Sequence, residues 1–390
     1  LLLAAILFAA APWAAGFFLV PEAADAFRLM ALVPLIKGFM HLDCRKAQRD
    51  LNNAPQLAVE IAPQILALAA ALPLLALSND YRAVVMLALI QAISTVMTAR
   101  MLASSPYRVG TDRDVIQRLL AFGWPILLSA LPLIAVYHGD RTIVARVLGV
   151  EQLAIFSAAF MATMVPGLLA ARAGHALLLP VFSAQIRSGK RLIGPFLLTA
   201  EAVSVLASLF LAMFVIAGGV LLPLVFGKHY SGCQAVLSWL AGMWALRMIQ
   251  AVPGMALMAA GQTKPFLVAG ALRASVLPFV LVAALKGAPL WVVAAIGCAG
   301  EVLSLLYVAW RIERVEPMLG AVLLCRSLFL IPAGITAALV AGIAPSSLWG
   351  SLAAAAGTSA GLAVIGAAVM PGLLGQLRGH LHLSVAHAKA

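Results

Sequence analysis

Charge is scarce in this sequence. Of 390 residues, 10% are Asp, Glu, Lys or Arg and 64% are hydrophobic, whereas soluble domains carry about 25% charged and about 45–50% apolar residues. A water-soluble core could not hide that apolar excess, so lipid is the expected solvent. Long polar segments are missing too. None between the apolar runs reaches the ~50 residues an independent domain needs. Cysteine is limited to Cys44, Cys233, Cys298 and Cys325, without a C-x-x-C spacing, which excludes a disulfide framework and a zinc site of ordinary spacing. No GxGxxG, P-loop, HExxH or GxSxG is found, which removes the common nucleotide, metalloprotease and serine-hydrolase readings. Acidic residues number 14 against 26 Lys and Arg, for a net charge of +12. No basic stripe with interleaved aromatics lies outside the apolar runs, so nucleic acid is not an expected partner.

What the chain does have is apolar runs of bilayer-spanning length, about 20 residues each. Twelve helices are read at 1–20, 27–41, 57–78, 83–102, 119–138, 152–172, 194–224, 234–258, 265–285, 288–310, 321–343 and 347–370. The first run lacks a basic n-region and is too long for a signal-peptide core, so it reads as a span. If the first helix starts in the cytoplasm, sixteen loop Lys and Arg fall on that side and five on the other. That bias assigns the C-terminus to the cytoplasm. The segment from Leu1 also resembles in layout the segment from Leu209, as internal repeats of transporters do. The second copy is preceded by two further helices beginning near Arg118. Two helices ahead of Leu1, and fourteen in the intact protein, are therefore expected. The expected fold is an all-α integral membrane helix bundle with two pseudo-symmetric lobes. These are 1–103 as a first lobe lacking two helices and 104–316 as a six-helix second lobe, followed by 317–390 as two additional helices and a cytoplasmic tail.

Ionisable residues within spans are costly, about 2.5–3.5 kcal/mol each on insertion scales, and mark cavities or partners. Here they are Lys37, Glu60, Glu201, Arg247, Arg273, Glu301 and Arg326, with Arg28 near one face. Lys37 and Arg247 fall in corresponding helices of the repeat, so with Arg28 and Arg273 they are candidates to hold an anionic group. The competing reading has them snorkel to an interface or pair with Glu60 or Glu301. Arg326 is expected to snorkel. Asp112-Arg113-Asp114 resembles a metal-nucleotide triplet, but Thr111 and Asp114 have the spacing of a helix cap. His380, His382 and His387 lie on a short polar tail without acidic or cysteine partners, so no metal site and no cofactor is expected. Pro34, Pro63, Pro125, Pro132, Pro166 and Pro278 fall inside helices and permit bends.

The stretch from Phe122 to Ser183 carries the sharpest pattern: an F-G-x-P helix, a D-R-x-x-x-x-R-x-L-G turn, then L-x-x-F-S. Asp140, Arg141, Arg146, Leu148, Gly149, Leu153, Phe156 and Ser157 occupy its positions. In this it resembles the polysaccharide-biosynthesis flippases of the multidrug/oligosaccharidyl-lipid/polysaccharide exporter superfamily, departing from them in the two helices ahead of Leu1. The resemblance implies two lobes around a central cavity in the bacterial inner membrane. It implies a non-enzymatic carrier of polyprenyl-pyrophosphate-linked oligosaccharide for O-antigen, capsule or exopolysaccharide. Its partners would be membrane lipid, the lipid-linked oligosaccharide, the polysaccharide polymerase and other export machinery. Glu60 and Glu301 would be ion-coupling candidates. Two alternatives stay open. A cation-coupled multidrug antiporter would need a mainly acidic site. A membrane polymerase or ligase would need a large outer loop, and the longest here is expected at Gly139–Glu151.

Overall fold

A chain this apolar must satisfy its backbone hydrogen bonds internally, and helices do so segment by segment. The computed structural model describes residues 2–44, 47, 54–77, 80–103, 113–114, 117, 134–135, 137–262, 264–343 and 347–370, without the side chains of 2, 77, 172, 173, 175 and 176. Outside the described residues lie most of the 119–138 helix, Thr111, Asp112, Pro125, Pro132, the tail histidines, and Arg45, Lys46, Arg49, Arg108, Arg118, Arg378 and Lys389. Among the described residues there is no strand, and nine helical stretches are long and apolar enough to cross a membrane. The molecule is a multi-pass membrane protein. Its outward faces confirm the solvent: Leu68 is 74% and Leu72 79% exposed in mid-helix, which water would penalise and acyl chains do not.

Contacts divide the chain into two units, Leu1–Trp124 and Pro125–Ala390. The first holds α1 (Leu2–Phe17), α2 (Ala24–Met30), α3 (Leu32–Lys37), α4 (Ala54–Leu77) and α5 (Tyr81–Met101). Here α4 and α5 pair, α2 and α3 pack on α5, and α1 packs on α2 and α3. Asp80 caps α5 by accepting from the Tyr81 N–H at 2.6 Å.

The second unit is built around α8 (Gln234–Ala259), which packs on α6 (Val150–Arg187), α7 (Ile193–Phe226) and α11 (Leu290–Glu313). Phe156, Phe160, Phe196, Leu237, Leu240, Trp244 and Ile249 fill the space between them. The short α9 (Lys264–Ala274), α10 (Leu277–Leu285) and α12 (Leu319–Ser327) lie on α11, and α13 (Leu330–Ile343) and α14 (Leu348–Val369) lie on α7. Small residues let those last helices approach: Ala212, Ala217, Ala333, Ala337 and Ala355 form their own buried cluster with Ile216 and Leu362. With 34 residues α7 is about 51 Å long, more than a ~30 Å hydrocarbon core. Gly149 and Gly227, at φ +93 and +99, bracket this region in backbone conformations that a Cβ would strain.

Two acidic side chains tie the connections together. Glu316 accepts from the Leu192 N–H at 2.7 Å and so caps α7 from a distant segment. Glu313 accepts from the N–H groups of Met318 and Gly320, each at 2.7 Å, and Ala321 at 3.2 Å, capping α12. Negative charge there also suits the helix N-terminus.

Several expected elements change. The 27–41 helix is α2 plus α3, the 265–285 helix is α9 plus α10, and the 321–343 helix is α12 plus α13. The breaks share a cause. Proline has no N–H for the carbonyl four residues back; Pro34 and Pro278 withhold that bond from Met30 and Ala274, where α2 and α9 end, and Pro332 withholds it from Leu328, just past the end of α12, whose carbonyl accepts from the Ile331 N–H instead. Pro63 and Pro166, by contrast, sit inside unbroken helices. The expected outer loop Gly139–Glu151 is also mostly helix: 137–147 are helical and only Leu148 and Gly149 turn. The 152–172 helix runs on to Arg187, through a segment expected to be loop.

Candidate functional site

Three helices of the second unit bring polar side chains together. On α8, Arg247 and Gln250 are three residues apart and share a face; on α11, Glu301 and Ser304 do the same. These two helices pack against each other, and α9 packs on α11 with Arg273 in its last turn. Glu301 sits at the junction with its side chain 2% exposed. Its Oε1 accepts from Arg247 Nε at 2.6 Å and its Oε2 from Arg273 Nε at 2.8 Å. Gln250 Nε2 donates to the Glu301 backbone carbonyl and to Oε2, each at 3.1 Å. Gln250 Oε1 accepts from Arg273 Nη2 at 2.5 Å and from Ser304 Oγ at 2.9 Å.

Two guanidiniums thus share one carboxylate, and the cluster keeps one net positive charge in a buried place. Isolated ions there would be prohibitive; shared and hydrogen-bonded they are tolerable. Arg247 lies between aromatic faces, 4.7 Å from the Trp244 ring centroid and 5.1 Å from Tyr137, where cation–π attraction offsets lost hydration. Its Nη1 is buried without a hydrogen-bond partner. Helix 137–147 borders the cluster: Arg141 donates to the Tyr137 carbonyl and lies 4.3 Å from the Phe160 ring centroid. Asp140 feels the charges of both Arg141 and Arg247. Beside Arg273 and Gln250 is a cavity of about 40 Å³, walled by Gly254, Leu257, Phe266 and Val308. Among the described residues no group of three metal-ligating side chains forms.

The sequence-named candidates therefore divide. Arg247, Arg273 and Glu301 meet, with Asp140 and Arg141 alongside, while Arg146 is exposed on the same helix as the latter two. In the first unit Arg28 pairs with Asp25 at 2.9 Å, Lys37 is exposed at the end of α3, and the exposed Glu60 accepts from Gln56. Arg326 corrects an expectation. Instead of snorkelling it faces Glu201 of α7, Nε to Oε1 3.2 Å, with the glutamate side chain 0% exposed. Gln250, Ser304, Trp244 and Tyr137 were missed. The available signal was spacing, since Gln250 and Ser304 each follow a helix-interior charge by three positions.

A family model described as polysaccharide biosynthesis protein matches residues 1–235. The match includes Asp140, Arg141 and Arg146, while Arg247, Arg273 and Glu301 lie beyond it. No curated protein and no solved structure matched the chain.

Proposed function

Since the chain belongs to the polysaccharide biosynthesis protein family, we propose that it is a flippase. It carries a polyprenyl-pyrophosphate-linked oligosaccharide across the bacterial inner membrane for O-antigen, capsule or exopolysaccharide, with its C-terminus on the cytoplasmic side. The observation that carries this reading is the two-to-one ratio of arginine to glutamate in the buried cluster, with Arg247 Nη1 left unpaired. A surplus guanidinium at membrane depth is costly unless it meets an anion. Pyrophosphate oxygens suit its planar donor fork. The lipid tail stays in the bilayer, so the protein needs to shield only the headgroup and sugars.

The same ratio disfavours the antiporter alternative, because a net positive cluster repels organic cations. Short connections among the described residues, with 137–147 helical, disfavour an enzyme with a large catalytic loop. The protein acts as a carrier, and the polymerase that extends the exported unit is the expected partner. The test is Arg247→Ala and Arg273→Ala in the producing cell. Each variant should insert normally and lose surface glycan while lipid-linked precursor accumulates. Normal surface glycan in both variants refutes the assignment.

A further inference from the structure

Gln250 is the most heavily committed side chain of the buried cluster. It is 6% exposed, and its amide makes four hydrogen bonds that define its orientation. Nε2 faces two acceptors, the backbone carbonyl and Oε2 of Glu301. Oε1 faces two donors, Arg273 Nη2 and Ser304 Oγ. Turning the amide over would set donor against donor and acceptor against acceptor. The result is a division of labour at Glu301. Oε2 is shared between Gln250 and Arg273, leaving Oε1 to Arg247. Gln250 also holds Arg273 from a second side through Nη2. Without it, nothing else in this hydrogen-bond set stops the two guanidiniums from competing for the carboxylate.

We propose that Gln250 is a positioning residue: it fixes Glu301 and Arg273 so that two guanidiniums are held apart around one carboxylate and present their remaining N–H groups to a pyrophosphate. This rests on the flippase reading for the identity of the anion, but not for the positioning itself. The amide and the carboxylate are complementary parts of one hub, one on α8 and one on α11. The hub needs one of each, with the amide on α8, because only an N–H at position 250 can serve the Glu301 backbone carbonyl.

The experiment is an exchange made in the full chain in detergent. Trp244, 4.7 Å from the Arg247 guanidinium, reports on the cluster by its emission, with Trp244→Phe as the background control. Gln250→Met keeps the volume and loses all four bonds. Gln250→Glu sets a second carboxylate against Glu301. Gln250→Glu/Glu301→Gln restores one amide, one carboxylate and the original net charge. Inorganic pyrophosphate and a short prenyl pyrophosphate are the titrants. Both single variants should shift Trp244 emission and weaken titrant binding about tenfold or more. The exchanged double variant restores the charge but not the bond to the backbone carbonyl of residue 301, so it should stay about tenfold weak with shifted emission. An exchanged variant with parental emission and affinity overturns the proposal, since charge balance alone would then suffice. So does a Gln250→Met variant with parental emission and affinity. A parent protein that binds neither titrant counts against the pyrophosphate reading alone. Recovery or non-recovery of Trp244 emission in the exchanged variant then decides positioning by itself.

Discussion

Replacing Arg326 with Met isolates the energetics of the second buried ion pair. Methionine retains most of the aliphatic bulk and removes the guanidinium, leaving Glu201 with a side chain 0% exposed. Removing one partner of a buried pair typically costs about 3–5 kcal/mol, because the survivor loses its counter-charge. The lower end, about 3 kcal/mol, applies here because Arg326 is 21% exposed and the 3.2 Å contact is not an ideally directed hydrogen bond. Glu201→Gln should cost less, about 2 kcal/mol, since the arginine can extend toward its exposed side. The double variant removes both charges and should cost about 2 kcal/mol, giving a coupling energy of roughly 3 kcal/mol. Reversible unfolding in mixed micelles, titrated with a denaturing detergent, measures all four corners of the cycle. Additivity within about 0.5 kcal/mol would show that the two side chains do not interact. It would return Arg326 to a snorkelling role.

Other outcomes can be checked in the same way. Gly320→Ala would set a Cβ 2.3 Å from the Ala309 carbonyl oxygen, so α11 and α12 must separate; the expected loss is about 1–3 kcal/mol. Gly334→Ala meets nothing closer than Leu211 Cδ2 at 3.5 Å and should be neutral or stabilising by about 0.5–1 kcal/mol. Equal Tm values for these two variants would reject the packing described. Glu301→Ala strands two partly buried guanidiniums and should lower stability by about 3 kcal/mol, with Glu301→Ala/Arg273→Met regaining part of it; no recovery would mean the arginines do not depend on that carboxylate. Single cysteines at Ser188 and Gly287, in a background without the native cysteines, should react with an impermeant maleimide from opposite faces of the membrane. Labelling from one face would break the alternation of α7, α8 and the α9–α10 pair.

The membrane character of this chain could be read from composition, because hydration cost depends on how much apolar surface there is and not on its arrangement. The helix breaks were legible in principle at Pro34, Pro278 and Pro332, since a missing N–H acts on the carbonyl four residues back in the same segment. Why Pro63 and Pro166 are absorbed cannot be decided locally; it depends on the neighbours that pack around them. The candidate site shows the same division. Arg247, Arg273 and Glu301 stood out because an ion in an apolar run demands a partner, whatever the fold. That Glu301 serves both arginines, and that Glu201 claims Arg326, required the tertiary structure. A helix apolar on every side carries no stripe to say which face meets which neighbour. Gln250 was passed over for a related reason: its three-residue spacing from Arg247 was the one signal, and an uncharged amide in an apolar helix gains importance only when α8, α9 and α11 converge. Solvent, the all-helical class and the presence of charge within the spans were therefore properties of the sequence alone. The partners of that charge were decided by helix packing, which depends on close fit between surfaces far apart in the chain.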